Sequence, residues 1–294
     1  MNKVGFIGVG IMGKSMVRNL MKAGFELHIY ARTKSKVEDV IGEGAQFHES
    51  IKDCVQDCDA VITIVGFPQD VEEVYFDGGN ILDSAKKGAY LIDMTTTSPQ
   101  IAEKIYAEGT KRGFHVMDAP VTGGDTGAKA GTLSILVGGE KEDYEACMPL
   151  FEAMGTNINY QGKAGCGQHC KLANQIMIAG TLSGVCEALT YAKEQGLDPE
   201  VFMKSVATGA AGSKQLDTFG PKILKDDYAP GFFMKHFIKD MKLALIEANR
   251  KGLSLDVLSM VLANYEELEQ EGYGDLGTQA LMKFYDEEHR NTEE

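Results

Sequence analysis

The strongest constraint on how this chain can fold lies at residues 3–15, KVGFIGVGIMGKS, where a short apolar run enters G-x-G-x-x-G and then a helical pattern. Strand, glycine turn and helix in that order form the phosphate-binding corner of a dinucleotide-binding unit. Gly8 permits the tight turn, Gly10 leaves room for a pyrophosphate against bare backbone, and Gly13 lets the helix pack closely on the strand. The helix then opens with Ile11 and Met12, whose amides face the phosphates. Glycine turns are common and the motif alone is weak, but residues 26–30 (ELHIY) supply the second strand such a unit needs.

Apolar runs recur at 3–7, 26–30, 60–65, 89–93, 114–117 and 133–137, most of them separated by segments with helical periodicity. Alternating strand and helix implies a mainly parallel sheet covered on both faces. After about residue 160 the strand signals fade, and residues 162–167 form a glycine-rich loop. Beyond it, Leu172, Ile176, Ala179, Leu182, Val185, Leu189 and Ala192 follow steps of three and four, the spacing of one helical face. A helix of about 28 residues, stopped at Gly196, is roughly 40 Å long. Its small residues Ala179, Gly180, Ser183 and Gly184 let another helix approach closely. Residues 199–290 read almost entirely helical, punctuated by Pro199, Pro221 and Pro230, with an acidic, frayed tail. The expected architecture is therefore α/β: a Rossmann-type doubly wound sheet at 1–163, a linking helix at 164–195 and an all-α domain for substrate and dimerisation at 196–294.

At 294 residues the chain can bury one large core and a smaller one. A net charge of −14 and a pI near 4.9 disfavour nucleic acid and anionic membrane as partners, since both repel an acidic surface. No uninterrupted run of eighteen apolar residues is present, and Met1 sits only seven residues before Gly8. Neither a membrane span nor a signal peptide fits, so a cytoplasmic location is expected. Six scattered cysteines suit reduced thiols. Cys166-Gly-Gln-His169-Cys170 lacks the second paired module of a zinc site, Cys54 and Cys58 fall in an expected helix elsewhere, and no metal is expected.

Lys171 and Asn174, three residues apart, share one helical face just past the glycine loop and can address one ligand together. A lysine at the mouth of a nucleotide site serves as general acid or base when burial brings an ammonium toward the working pH range. Asp118-Ala-Pro-Val-Thr122-Gly123-Gly124 ends a strand at the edge where α/β sheets bind ligands; Thr122 with the Gly123 and Gly124 amides can hold a carboxylate, and the segment from Gly131 can complete that wall. Where NAD enzymes place an acid after the second strand, this chain has Tyr30-Ala-Arg32-Thr33-Lys34-Ser-Lys36. Arg32, Thr33 and Lys36 can surround a 2′-phosphate, which selects NADP, with NAD possible.

Four segments together make the chain resemble the β-hydroxyacid dehydrogenase family: residues 5–13, 118–124, 165–174 and 239–244. That family includes 3-hydroxyisobutyrate dehydrogenase, tartronate semialdehyde reductase and glyoxylate/succinic semialdehyde reductases. The resemblance implies Lys171 as catalytic acid/base, Asn174 and Thr122-Gly123-Gly124 as substrate contacts, and Lys239 closing on the cofactor from the second domain. Residues 93–99 are similar to the family's strand-end motif, which implies Thr96 beside the nicotinamide; Val65 joins the cofactor-binding set. Thr122 stands where the family usually has serine, and Lys235-His236 where it often has an acid and an aliphatic. The implied activity is hydride transfer between NADP(H) and a small β-hydroxyacid or aldehyde acid, by a homodimer or homotetramer. The alternatives are an imine reductase-like NADPH enzyme, a 6-phosphogluconate dehydrogenase, and a nucleotide-binding protein without catalysis. The first generally lacks the lysine at 171, and the second carries a far larger helical domain.

Overall fold

The computed structural model describes residues 1–285. Contacts divide the chain into two compact units, Met1–Lys171 and Leu172–Glu294.

The first unit carries nine strands: β1 (Lys3–Ile7), β2 (Glu26–Tyr30), β3 (Gln46–Phe47), β4 (Ala60–Thr63), β5 (Tyr90–Asp93), β6 (His115–Asp118), β7 (Val121–Thr122), β8 (Leu133–Gly139) and β9 (Gly155–Gly162). They lie in the order β3-β2-β1-β4-β5-β6-β8-β7, with β9 on β8. The pairs from β3 through β6 are parallel, whereas β8 runs antiparallel to β6 and β7. Chain order reverses between β1 and β4, so connections leave opposite faces there and open a crevice at the carboxyl ends.

Alternation of side chains explains why these strands are apolar nearly throughout. Val4, Phe6, Leu27, Ile29, Ala60, Ile62, Ile92 and Met117 enter one core, while Ile7, Val61, Leu91 and Val116 enter another on the opposite face. A strand buried on both faces has no polar side to show.

The long helix, Cys166–Glu194, begins in the first unit and continues into the second. In the second unit its Leu172, Ala179, Leu182, Val185, Cys186 and Leu189 pack with residues of Met234–Arg250 and Asp256–Gln270, among them Phe237, Met241, Val261 and Tyr265. Phe237 meets Tyr265 edge-on at 5.4 Å. A Cβ at Gly180 would sit 3.6 Å from Val257 Cγ1, ordinary contact, and one at Gly184 would meet nothing within 4 Å among the described residues, so neither glycine is required by a close helix approach. Over eighteen residues the long helix reaches a mean hydropathy of 1.2, enough by length and composition to cross a membrane, and 44% of that stretch is buried inside the protein.

Three readings of the sequence are corrected. The loop before the long helix is shorter than 162–167, because β9 runs to Gly162 and the helix already starts at Cys166. Pro221 lies inside the helix Lys214–Ile223 rather than between helices. Cys54 is helical, in Ile51–Val55, but Cys58 is not. The part of the acidic tail beyond residue 285 lies outside the described residues.

Candidate active site

The three glycines of the turn after β1 do three different things. Gly8 has φ +97°, and a Cβ there would collide with the Ile64 carbonyl oxygen of the segment after β4. A Cβ on Gly13 would strike the Gly8 carbonyl oxygen and come within 3.3 Å of the Phe6 ring. Gly10, in contrast, has nothing within 4 Å of a Cβ among the described residues. It is the N-cap of Ile11–Lys22, a terminus with no side-chain cap and no acidic residue in its first turn. Open backbone facing a bare helix N-terminus is what a pyrophosphate requires, so the turn fits a dinucleotide. Ile11 is exposed and Met12 half-buried at that terminus.

At the carboxyl ends of β5 and β6, Asp93 and Asp118 are register partners, and both are buried. Asp93 Oδ1 accepts the Thr63 hydroxyl at 2.8 Å and the Thr95 N–H at 3.1 Å, and the Tyr75 hydroxyl lies 3.2 Å from Thr63 Oγ1. Burial pushes the Asp93 carboxyl up from 3.8 to about 6, against these hydrogen bonds. Thr95 Oγ1 accepts the Val65 N–H at 3.0 Å, which ties the segment after β4 to the segment carrying Thr96.

Asp118 holds the start of the long helix. Its Oδ1 accepts the Gly165 N–H at 2.7 Å and its Oδ2 the Gln168 N–H at 2.8 Å. A carboxylate on the orphan amides of a helix start serves as a cap and meets the positive end of the dipole. Burial raises the Asp118 carboxyl while the Gly165 and Gln168 amides pull it back. Gly167 is obligatory, since a Cβ would collide with the Leu136 carbonyl oxygen and lie 2.8 Å from Asp118 Oδ2. Gln168, fully buried, donates Nε2–H to the Thr95 carbonyl at 2.7 Å and accepts the Thr97 N–H on Oε1 at 3.0 Å. One turn further on is Lys171, itself buried.

Thr122 is the last residue of β7, opposite Ser134 of β8. Gly123 and Gly124 follow with φ of 131° and 64° and start the helix Gly124–Ala130. The Ala128 carbonyl of that helix accepts Asn19 Nδ2–H at 2.7 Å, so the Thr122-Gly-Gly corner is braced on the dinucleotide-turn helix.

In the second unit a chain of polar groups, buried at its centre, joins Asn174 to Lys239. Asn174 Nδ2–H donates to Gln175 Oε1 at 2.8 Å, Gln175 Nε2–H donates to Asp240 Oδ2 at 2.7 Å, and Lys239 Nζ pairs with Asp240 Oδ1 at 3.0 Å. Asp240 and Gln175 are almost wholly buried.

After β2, Arg32, Thr33 and Lys36 are all exposed. Asp70 reaches Arg32 Nη1 at 3.1 Å while also accepting the Phe67 N–H at 2.9 Å, so an acid absent from the local sequence is supplied from elsewhere in the fold. Among the described residues no cluster of three or more His, Cys, Asp or Glu could hold a metal.

The residues that sequence reasoning passed over as actors are Asp93, Asp118, Gln168 and Gln175. Each stood inside or next to a quoted motif. The usable signal was an aspartate closing each of two adjacent apolar strands, a costly place for charge unless it is hydrogen-bonded.

Known proteins match both units of the chain. Residues 3–162 match the NAD-binding domain of 6-phosphogluconate dehydrogenase, and residues 165–285 match the NAD-binding family of NADP-dependent 3-hydroxyisobutyrate dehydrogenase. A mitochondrial 3-hydroxyisobutyrate dehydrogenase-like protein of Arabidopsis thaliana is 44% identical over 95% of this chain and 84% of its own. The NAD-dependent L-serine dehydrogenase of Pseudomonas aeruginosa is 34% identical over 97% and 98%. The solved structure of Mycobacterium tuberculosis 3-hydroxyisobutyrate dehydrogenase with L-serine superposes with a TM-score of 0.88 at 26% identity, covering 96% and 98%. The chain belongs to the β-hydroxyacid dehydrogenase family, with an N-terminal Rossmann-type unit and a helical C-terminal unit.

Proposed function

We propose that the protein interconverts a small β-hydroxyacid and the corresponding aldehyde acid with NADP(H), and that Lys171 is its general acid and base. The observation that carries this reading is the buried Lys171 one turn after Gln168, on a helix whose first amides are fixed by Asp118 at the carboxyl end of the sheet. The relatives are named for 3-hydroxyisobutyrate and for L-serine, which share a carboxylate and a β-hydroxyl.

The Gly8–Gly13 turn would hold the pyrophosphate of NADP(H), with Val65, Thr96 and Lys239 as further cofactor contacts, and the bound cofactor would supply or accept the hydride. Thr122 Oγ1 and the Gly123 and Gly124 amides hold the substrate carboxylate. Asn174 orients the carbonyl, and Lys171 Nζ gives its proton to the oxygen as the carbon gains hydride. In the oxidative direction Lys171 takes the hydroxyl proton. Fixing the carboxylate and the reacting oxygen at once accounts for much of the rate through positioning. Arg32, Thr33 and Lys36 select the 2′-phosphate of NADP, which stops short of excluding NAD.

The test is oxidation of NADPH and of NADH, followed at 340 nm with a panel of small aldehyde acids, for wild type and Lys171→Ala. Turnover with preference for NADPH, lowered roughly 100- to 10,000-fold in kcat by the substitution, is expected. Wild-type-like turnover by Lys171→Ala would overturn the role given to this lysine.

A further inference from the structure

We infer that Gln168 is a positioning residue for the reaction proposed above, its side-chain amide locking the Thr95–Thr97 backbone to the helical turn that ends in Lys171. The inference rests on that reaction and adds the group that sets its geometry.

β5 ends at Asp93, yet the backbone beyond it is still paired. Gln168 donates to the carbonyl of Thr95 and accepts from the N–H of Thr97, two residues on. One residue of a neighbouring parallel strand makes the same pair of bonds through its own N–H and C=O. The side-chain amide thus stands in for a strand where the sheet has none to offer. Its own N–H meanwhile donates to Asp118 Oδ2 at the end of β6. One residue is therefore tied to the ends of two adjacent strands, three positions before Lys171, on the same side of the helix. The tie extends to the cofactor contacts, because Thr95 also accepts the Val65 N–H on its hydroxyl and Thr96 lies between the two clamped residues. Lys171 cannot rotate or slide against Thr96 without breaking bonds inside a region closed to solvent.

Both arms of the amide are needed, one donating and one accepting. A carboxylate of the same length offers two acceptors and faces the Thr95 carbonyl with negative charge. A protonated carboxyl restores both bonds. Gln168→Glu should therefore work only while its acid is protonated. Around it stand Asp118 from β6 and Asp93 from β5, bound to the Thr95 N–H, both of which favour the protonated form, and Lys171 on its own helix, which opposes them.

The experiment measures kcat, KM, NADPH affinity by nucleotide fluorescence and thermal midpoint from pH 5 to 9 for wild type, Gln168→Glu and Gln168→Met. Gln168→Met is expected to lose roughly 10- to 100-fold in kcat at every pH, the cost of a misplaced reacting group. Gln168→Glu is expected to approach wild type in acid and to fall away by roughly tenfold per pH unit above the pKa of the introduced carboxyl, in kcat and in NADPH affinity alike. Should Gln168→Met fail to fold, the acid-side rescue of Gln168→Glu still decides the question. A ratio of Gln168→Glu to wild type that is flat in pH, or losses fully explained by the unfolded fraction, overturns the inference. A wild type that binds NADPH but turns over no aldehyde acid removes the proposed function instead, and Gln168 is then judged on the pH dependence of NADPH binding.

Discussion

The turn after β1 and the cluster at the ends of β5 and β6 are built from opposite materials. The turn is backbone: Gly8, Gly10 and Gly13 matter for the side chains they lack, and all three fall within six consecutive residues. The cluster is side chain: Asp118 reaches Gly165 and Gln168, and Gln168 reaches Thr95 and Thr97, across separations of 47 to 73 residues, while Asp93 reaches Thr63 across 30. A site made of local backbone geometry is written in spacing and can be read directly. A site made of buried polar partners exists only once the sheet has brought the strand ends together.

The sharpest way to break this contrast lies within the turn. Gly8→Ala meets both a positive φ and a backbone oxygen that cannot move, and we expect a loss of about 4 kcal/mol in unfolding free energy. Gly10→Ala meets nothing within 4 Å among the described residues, so its melting temperature should hold while NADPH affinity falls roughly 10- to 100-fold, the overpacking cost of about 1–3 kcal/mol falling on the ligand alone. Denaturant titration and nucleotide fluorescence on both variants would separate the two effects. Equal loss of stability in both would contradict the division of labour.

The same contrast explains what the sequence revealed. β1 and β2 were legible to the residue because their apolar runs abut the glycine turn and its helix. β3 and β7 span two residues each, too short for any period to register. β9, GTNINYQG, is largely exposed and polar, so its pairing with β8 is tertiary and leaves no hydrophobic run. Pro221 read as a break because proline removes a helical donor, yet it falls eight residues into a ten-residue helix. Of the site, the glycines and the Lys171–Asn174 spacing were visible; the hydrogen-bond partners of Gln168 and Asn174 were not, since no periodicity encodes which side chain a buried amide will find.

The cluster predicts the next largest effect. Asp118→Ala strips two buried amides, Gly165 and Gln168, of their acceptor, at about 1–3 kcal/mol each before relaxation. A net loss of about 3–4 kcal/mol in urea unfolding is expected, with Asp118→Asn intermediate because one oxygen still accepts. Unchanged stability in Asp118→Ala would mean that the cap contributes nothing.

Asp93 gives the cluster a pH signature that the glycine turn cannot have. The native state keeps this proton to about pH 6, while the unfolded chain releases it near 3.8. Between those values the native protein binds more protons, so the contribution of this group to stability falls as pH rises. The stability of Asp93→Asn relative to wild type should accordingly shift in the variant's favour by about 2 kcal/mol between pH 4 and pH 7. Chemical denaturation of both proteins across that range checks it, and a constant difference would place the Asp93 carboxyl at its ordinary value.

The smallest effect sharpens the contrast at its boundary, because the Arg32 region is made of side chains yet is local in sequence. It is exposed and local, so charge type alone carries the message. What the sequence could not supply was the opposing acid: Asp70, 38 residues away, at 3.1 Å from Arg32. With the Arg32 side chain 72% exposed, this pair is weak, and a 2′-phosphate can compete for the guanidinium. Arg32→Ala should weaken NADPH binding about tenfold with NADH unchanged, the value of one charge-assisted bond. Asp70→Asn removes the competing charge while its oxygen still caps the Phe67 N–H, and should strengthen NADPH binding by about threefold. Fluorescence titration of both nucleotides decides between a 2′-phosphate site and a solvated loop: equal loss of NADPH and NADH in Arg32→Ala means that Arg32 touches no phosphate specific to NADP. Opposite shifts in the two variants mean that cofactor preference is set by a balance between a residue the local sequence displays and one that only the fold brings beside it.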